Sequence, residues 1–448
     1  MYSWLFLLLC TISIWFATLP LYRLFLHPLR RFPGPWLASL TDYYAGYYDL
    51  IKGGGFLKRI EQLHARYGPV VRVGPNTLHF AEPQAFDDIY AHGISFVKAN
   101  QLYRGFVHAS ESSAIFMDPK KARQRRMLLS PLFSRRAITK LKDLIQDKVD
   151  KLTLRIKDYP EEPVNLAFGF RSLTMEIITS YCFATGYDTL EHPTFHHPLI
   201  KARQKLIRRF WLMKHFPSLV RLSMAAPIWI IKLIDPGLVE PTNMMLGLKK
   251  RIKLYLEDQS QLQSVEHETI FHRLIMPETK GGVIDQSLRP SEKSLLHEAN
   301  SLIGAGSDSV ADTCCIATCY ALHNREIIGK LKEELCEAWP DEDSTPDLSV
   351  LEQLPYLTAL IKEALRFSHG VVTPLPRTVG SSDAIIGGFH VPAGTDVEMS
   401  CVFLHKNPIV FQDPNAFSPE RWMGPNSKEL ENYLVPFSKG PRMCLGIK

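Results

Sequence analysis

Apolar residues run almost unbroken through positions 4–19 and continue with few interruptions to Leu26. That length approaches the roughly 20 residues a membrane-crossing helix needs. Arg23, Arg30 and Arg31 follow closely, and flanking cations of this kind mark the cytosolic side of a span. A cleaved signal peptide would begin with a charge and end at a small-residue cleavage site, and neither stands out. Residues 1–26 therefore read as an uncleaved anchor that leaves the body of the chain in the cytosol. Pro33-Gly34-Pro35 then stops any helix and forms a stiff elbow.

Beyond the elbow the pattern alternates between two periods. Two β-branched runs in 67–80 flank a Gly74-Pro75-Asn76 turn and predict a hairpin. Glu82-Pro83 predicts a helix start with proline in the first turn. Asp118-Pro119 opens a basic helix carrying Lys120, Lys121, Arg123, Arg125 and Arg126, most of them a solvated face. Helical patterns alternate with loops from about 141 to 286. Two strongly apolar stretches there, 210–213 and 225–234, fit either core packing or a lid leaning on a membrane. Residues 291–322 predict one long helix with Ser291 as its cap and Glu292 in its first turn. Gly387-Gly388 predicts a second hairpin turn. The sum is a mostly α fold with small β-sheets.

Composition narrows the function. No linker, repeat or low-complexity tract divides the 448 residues, so 27–448 reads as one catalytic unit. The net charge of +6 is dispersed, with no basic-aromatic array, which argues against nucleic acid. It suits an anionic membrane surface or an acidic redox partner. The eight cysteines (Cys10, Cys182, Cys314, Cys315, Cys319, Cys336, Cys401 and Cys444) show neither a disulfide framework nor a C-x-x-C metal pattern. Free thiols fit a reducing compartment. Cys314, Cys315 and Cys319 read as small apolar residues on a buried helix.

Cys444 stands apart. It lies in a glycine-bounded loop, 436–446, with Arg442 two residues before it. A thiolate is a strong ligand for haem iron and pushes electron density onto the metal. Gly440 and Gly446 would let the backbone fold closely around the sulfur. Phe437 offers an aromatic shield, and Arg442 a fixed charge for a carboxylate. This stretch resembles the F-x-x-G-x-R-x-C-x-G signature of the cytochrome P-450 haem-thiolate monooxygenases at every fixed position.

The resemblance implies a haem b with Cys444 as axial ligand, lying between the long helix and the cysteine loop. It implies propionate contacts from Arg442, Arg377 and Arg126. Ala122 stands where the family has Trp or His, and Arg125 is the fallback if the register slips by one. Residues 304–310 are similar to the A/G-G-x-D-T-T oxygen-activation motif: Ala305, Gly306 and Asp308 match, while Ser309 and Val310 replace the two threonines. Asp308 and Ser309 would deliver protons for cleaving dioxygen. Gly306 would admit a flat ligand, or serve plain helix packing. Glu363 and Arg366, on one helix face, would join Arg421 of the F-x-P-E-R-W-like stretch 417–422 in a structural lock. Ala305, Val371 and Val372 would touch substrate, and His405 reads as structural.

The expected activity is insertion of one atom of O2 into an apolar secondary metabolite, a terpenoid or polyketide. The electrons would come from a NADPH-cytochrome reductase. The anchor, basic residues and proline hinge resemble microsomal members, which implies a single-pass protein of the endoplasmic reticulum. The pattern from His27-Pro28 through Gly74-Pro75-Asn76 resembles fungal secondary-metabolism members such as trichodiene oxygenase. Family members continue through a further helix and hairpin after the cysteine loop, whereas this sequence ends at Lys448. That leaves a truncated, inactive haem-binding fragment as one alternative. A reductase-independent isomerase or dehydratase is another, against which the Asp308-Ser309 pair counts.

Overall fold

The computed structural model describes residues 17–158, 163–224, 226–263, 267–278, 284–341 and 347–447, with Thr11 and Ser344. Its principal helices are α1 (Phe56–Tyr67), α2 (Pro119–Leu129), α3 (Leu166–Phe183), α4 (Pro198–His215), α5 (Val239–Glu257), α6 (Glu292–His323) and α7 (Pro355–Ser368). Their starts follow local chemistry. The Asp118 carboxylate accepts from the Lys120 amide at 2.8 Å, with Pro119 in the first turn of α2. Ser291 caps α6 by accepting from the Ser294 amide at 3.2 Å. At 32 residues, α6 is about 48 Å long and runs through the centre of the molecule.

The largest core forms where α6 lies against α3 and α5. Leu295, Ala299 and Ile303 of α6 meet Met175 and Phe183 of α3 and Leu248 and Ile252 of α5, all buried. Gly306 lets α6 approach α3 closely. A Cβ there would stand 2.7 Å from Ile178 Cγ1. Beside it, the Thr174 hydroxyl donates to the Ser307 carbonyl at 2.6 Å. Of the two readings of this glycine, the structure supports helix packing rather than approach to a flat ligand.

Among the described residues, seven short strands form two sheets. These are β1 (Val70–Gly74), β2 (Thr77–Phe80), β3 (Val97–Lys98), β4 (Arg377–Thr378), β5 (Ala384–Ile386), β6 (Phe389–Val391) and β7 (Asp396–Glu398). The larger sheet has the order β1-β2-β7-β4-β3, and β5-β6 is the glycine hairpin. Leu78 of β2 pairs in parallel with Val397 of β7, and Lys98 of β3 lies opposite Arg377 of β4. A second core of Leu78, Phe80, Phe86, Val391, Val397 and Leu404 packs under this sheet. The fold is mostly α with small sheets, as expected.

Among the described residues no helix is long and apolar enough to cross a membrane. Residues 1–10 and 12–16 of the expected anchor lie outside the described residues. The apolar stretch 210–213 points inward at Phe210, which packs on Phe106 with ring centroids 4.6 Å apart. Further along, Leu219, Leu222, Trp229 and Leu233 are exposed.

Gly306→Ala sets two effects against each other. Alanine gains about 1 kcal/mol of helix propensity, while overpacking a filled contact costs about 1–3 kcal/mol. The expected outcome in denaturant melts is a net loss of stability. In an Ile178→Ala background the same substitution should be neutral or stabilising, and an equal loss in both backgrounds would contradict the packing account.

Candidate functional site

The cysteine loop is a tight, internally bonded turn. The Cys444 amide donates to the Phe437 carbonyl at 2.8 Å, and the Met443 amide to the Gly440 carbonyl at 3.1 Å. Gly440 has φ 72°, and a Cβ there would lie 2.1 Å from the Tyr90 carbonyl oxygen, so no other residue fits. Lys439 pairs with Asp87 at 2.6 Å, which ties the loop to the helix Pro83–Tyr90. Gly446 has a different use, since a Cβ would touch only Phe133 at 4.0 Å. Its amide is aimed at the Cys444 sulfur. Burial raises the Cys444 thiol above its ordinary value, against the opposing pull of that amide and of Arg126.

Four cations lie close to one another, Lys98, Arg126, Arg377 and Arg442, and Arg126 among them acts on the Cys444 sulfur. Arg442 donates to the carbonyls of Phe116 at 2.9 Å and Ser113 at 3.2 Å. Arg377 donates to the Tyr103 hydroxyl at 2.8 Å. Arg126 makes no hydrogen bond or ion pair with another described residue. Burial, followed by repulsion from Arg377, pulls Arg442 down to about 10. Burial and then repulsion from Arg442, Arg377 and Arg126 hold Lys98 well below its usual value. No carboxylate enters either balance.

The structure separates Arg125 from Arg126. Arg125 turns into the core, where it donates to Glu298 at 2.8 Å and to Ser294 at 2.9 Å. Both Arg125 and Glu298 are buried. Arg126, one residue on, faces Cys444. Ala122 is buried and supplies no polar group.

On α6, Ala305 and Ser309 are exposed one turn apart on a common face. The Ser309 hydroxyl donates back to the Ala305 carbonyl at 2.7 Å. Asp308 points elsewhere. Its carboxylate pairs with Arg203 of α4 at 2.9 Å and lies 3.8 Å from Arg171 of α3. The two residues are thus neighbours in sequence whose side chains the structure does not bring together.

Glu363, Arg366 and Arg421 do meet. Glu363, wholly buried, accepts from Arg366 through both oxygens at 2.7 and 3.0 Å, and from Arg421 at 3.1 Å. It also accepts from the Ser418 amide at 3.0 Å and from the Trp422 indole at 2.9 Å. Arg366 spends its remaining donors on the carbonyls of His405, Pro414 and Ala416. His405 in turn accepts from the Val435 amide at 2.9 Å, at the root of the cysteine loop. Its other ring nitrogen meets His369 at 3.1 Å.

Comparison with known proteins decides the family. The family model described as Cytochrome P450 matches residues 43–448. The chain is a cytochrome P450. It is 32% identical to cytochrome P450 monooxygenase sdnE of Sordaria araneosa, over 95% of this chain and 84% of that one. It is 33% identical to cytochrome P450 monooxygenase orf6 of Eupenicillium brefeldianum, over 99% of this chain and 88% of that one. It is 31% identical to cytochrome P450 monooxygenase TRI4 of Trichoderma arundinaceum, over 97% and 83%. The protein is therefore a haem-thiolate monooxygenase, and membership of this family implies a redox partner and a small-molecule substrate.

The residues present fit the haem of this P450. A cluster of four cations lacking a carboxylate calls for a ligand with at least two negative charges, and haem carries two propionates. A thiol at the edge of that cluster is the donor that haem iron takes in this family.

Sequence reasoning missed Lys98, Trp422, Ser418 and the His369–His405 pair. Trp422 and Ser418 lie inside the motif that supplied Arg421, and an indole next to that arginine was the available signal. Lys98 gave no signal, because only β-pairing puts it beside Arg377.

Glu363→Gln in this P450 leaves two partly or wholly buried guanidinium groups without their counter-charge. A loss of roughly 3–5 kcal/mol is expected, read as a lowered urea midpoint, and a loss below about 1 kcal/mol would sink the account. The histidines predict an acid limit. Burial holds His405 well below 6.5 and His369 at about 4. As pH falls below 6.5 the unfolded chain takes up these protons before the folded one does. Stability is then lost progressively down to about pH 4, by at most about 1.4 kcal/mol per pH unit for each histidine. Urea melts at pH 7.5 and 5.5 check this, and equal midpoints would contradict it.

Proposed function

We propose that this monooxygenase oxidises an apolar secondary metabolite, a terpenoid or polyketide, with electrons from a NADPH-cytochrome reductase. One observation carries the reading: a thiol and a cluster of four cations without a carboxylate partner among the described residues are coupled through Arg126. In this reading Cys444 is the axial ligand, and Arg126, Arg377, Arg442 and Lys98 hold the propionates. Phe437 shields the sulfur. Glu363, Arg366 and Arg421 hold the loop in register. When bound, haem supplies the iron at which dioxygen is reduced and one of its atoms transferred.

The chain's own part is positioning and proton handling. A cation beside the sulfur favours the thiolate, and Arg126 and the Gly446 amide already pull in that direction. Ser309 donates its own proton into the helix, so its lone pairs are free to accept a hydrogen bond from water and to orient that water as the proton donor. Asp308, held by Arg203 and Arg171, forms the charged edge past which such water would pass. Ala305, Val371 and Val372 would contact the substrate, and all three are exposed.

We place the protein on the endoplasmic reticulum, with residues 1–26 as a single-pass anchor and 27–448 as the cytosolic catalytic domain. Exposed apolar side chains support a membrane-facing surface. Trp36, Leu37 and Tyr43 lie on the N-terminal side, and Leu219, Leu222 and Trp229 follow α4. Stacking of Tyr43 on Phe216, with centroids 6.3 Å apart, joins the two stretches. Such a surface suits an apolar substrate arriving from lipid.

The deciding experiment is the absorption spectrum of the reduced protein with carbon monoxide. A strongly red-shifted Soret band is expected for the wild type and should vanish in Cys444→Ser. An unshifted band in the wild type would overturn the assignment of Cys444.

A further inference from the structure

A cavity of about 60 Å³ lies between the stretch 45–57, the C-terminal end of α4, strand β7 and the segment 372–376. Most of its wall is apolar, with Trp211, Leu102 and Val372 among the lining residues. One end is charged. Lys214 donates to Asp49 Oδ2 at 2.8 Å, and His215 reaches the same oxygen at 2.8 Å. Lys214 also lies 5.1 Å from the Trp211 ring centroid. Asp49 Oδ1 is buried with no partner.

Glu398, on β7, lines the same cavity. Only 7% of it is exposed, yet its carboxyl makes no hydrogen bond or ion pair with any described residue. Burial pushes it up to about 7, with Lys214 pulling the other way. Its carboxyl is open to the cavity, so whatever occupies that space becomes its partner.

The space and the charges restrict what could satisfy it. At about 30 Å³ per water, the cavity has room for one small polar group and the carbon that bears it. A cationic amine could pair with Glu398 but has no lone pair to accept from Lys214. A carboxylate would be repelled by Asp49 and by ionised Glu398. A carbonyl could accept from Lys214 but pairs with Glu398 only while that carboxyl is protonated. A neutral hydroxyl satisfies both, since it can donate to Glu398 and accept one of the two ammonium protons that Asp49 leaves free.

We propose that this cavity is a subsite for a hydroxyl group already present on the substrate, held between Glu398 and Lys214. The apolar walls around it would pack the carbon that bears the hydroxyl, and Val372 joins the cavity to the segment that carries Val371 and Arg377. The consequence is a place in a sequence of reactions: an oxygenation, a hydration or a carbonyl reduction must supply the hydroxylated skeleton before this enzyme acts. The inference rests on the proposed reading of the protein as an oxidase of apolar metabolites, and it names the polar handle such a substrate carries.

The test uses the full-length, haem-loaded protein and calorimetric dissociation constants for two matched pairs, cedrene with cedrol and bisabolene with bisabolol. Each alcohol is expected to bind the wild type at least tenfold more tightly than its hydrocarbon. Glu398→Leu should bring the ratio near one while leaving hydrocarbon affinity within about threefold. Should that variant fail to fold, Glu398→Gln, of nearly the same shape, should lower the ratio several-fold. A ratio near one in the wild type, including no binding of either partner, overturns the subsite, as does an unchanged ratio in both variants. The carbon monoxide spectrum separates the two readings. A normal band with no preference for the alcohol refutes the subsite alone, whereas the preference without the band refutes the monooxygenase assignment alone.

Discussion

The Glu363 carboxylate is the fixed point of this structure. It sits in the core without solvent and accepts five hydrogen bonds, two of them closing a bidentate pair with Arg366. Such a charge is tolerable only when fully paired and hydrogen-bonded, so the segments that supply the donors have little freedom. Helix α7, the loop through Pro414 and Ala416 and the turn Pro419–Trp422 are bound to one another here. From this knot the chain of bonds runs through the His405 carbonyl and ring to Val435, the base of the cysteine loop. The sulfur's position is thus inherited from a buried ion pair that takes no part in chemistry.

Around the sulfur the electrostatics run the other way. Whereas the lock balances its charges internally, the site leaves Lys98, Arg126, Arg377 and Arg442 without a carboxylate. Lys98 and Arg442 are lowered first by burial and then by repulsion within that cluster. Stored repulsion of this kind becomes attraction once a dianionic ligand arrives. The protein separates the two roles by pairing: the charges of the lock satisfy one another, whereas the four cations, Arg377 among them buried, have no carboxylate partner among the described residues.

Helix α6 shows how one element serves both ends. Its buried face is made close by Gly306 against Ile178 and is bonded by Thr174 to Ser307. Its open face carries Ala305 and Ser309, small enough to leave room for a flat cofactor and a substrate. Asp308 falls between the two faces and is held by arginines from α3 and α4, so these three helices are electrostatically coupled.

The sequence by itself determined the features whose partners are close in the chain. Asp118-Pro119, Ser291 and Gly387-Gly388 set helix starts and a hairpin turn because caps and turns are satisfied within a few residues. The cysteine loop was legible for the same reason, since its glycines and hydrogen bonds lie within one short stretch. Tertiary structure alone decided what depends on which way a side chain faces. Consecutive residues on a helix point about 100° apart, so the basic run on α2 could not reveal that Arg125 enters the core and Arg126 the site. That choice was made by Glu298, far along the chain. Nor could the motif on α6 show that Asp308 and Ser309 diverge, or that Gly306 serves packing. Lys98 was invisible because its neighbour, Arg377, is brought to it only by strand pairing. Local chemistry fixes where elements begin and end, and burial of long-range partners fixes which of their residues meet.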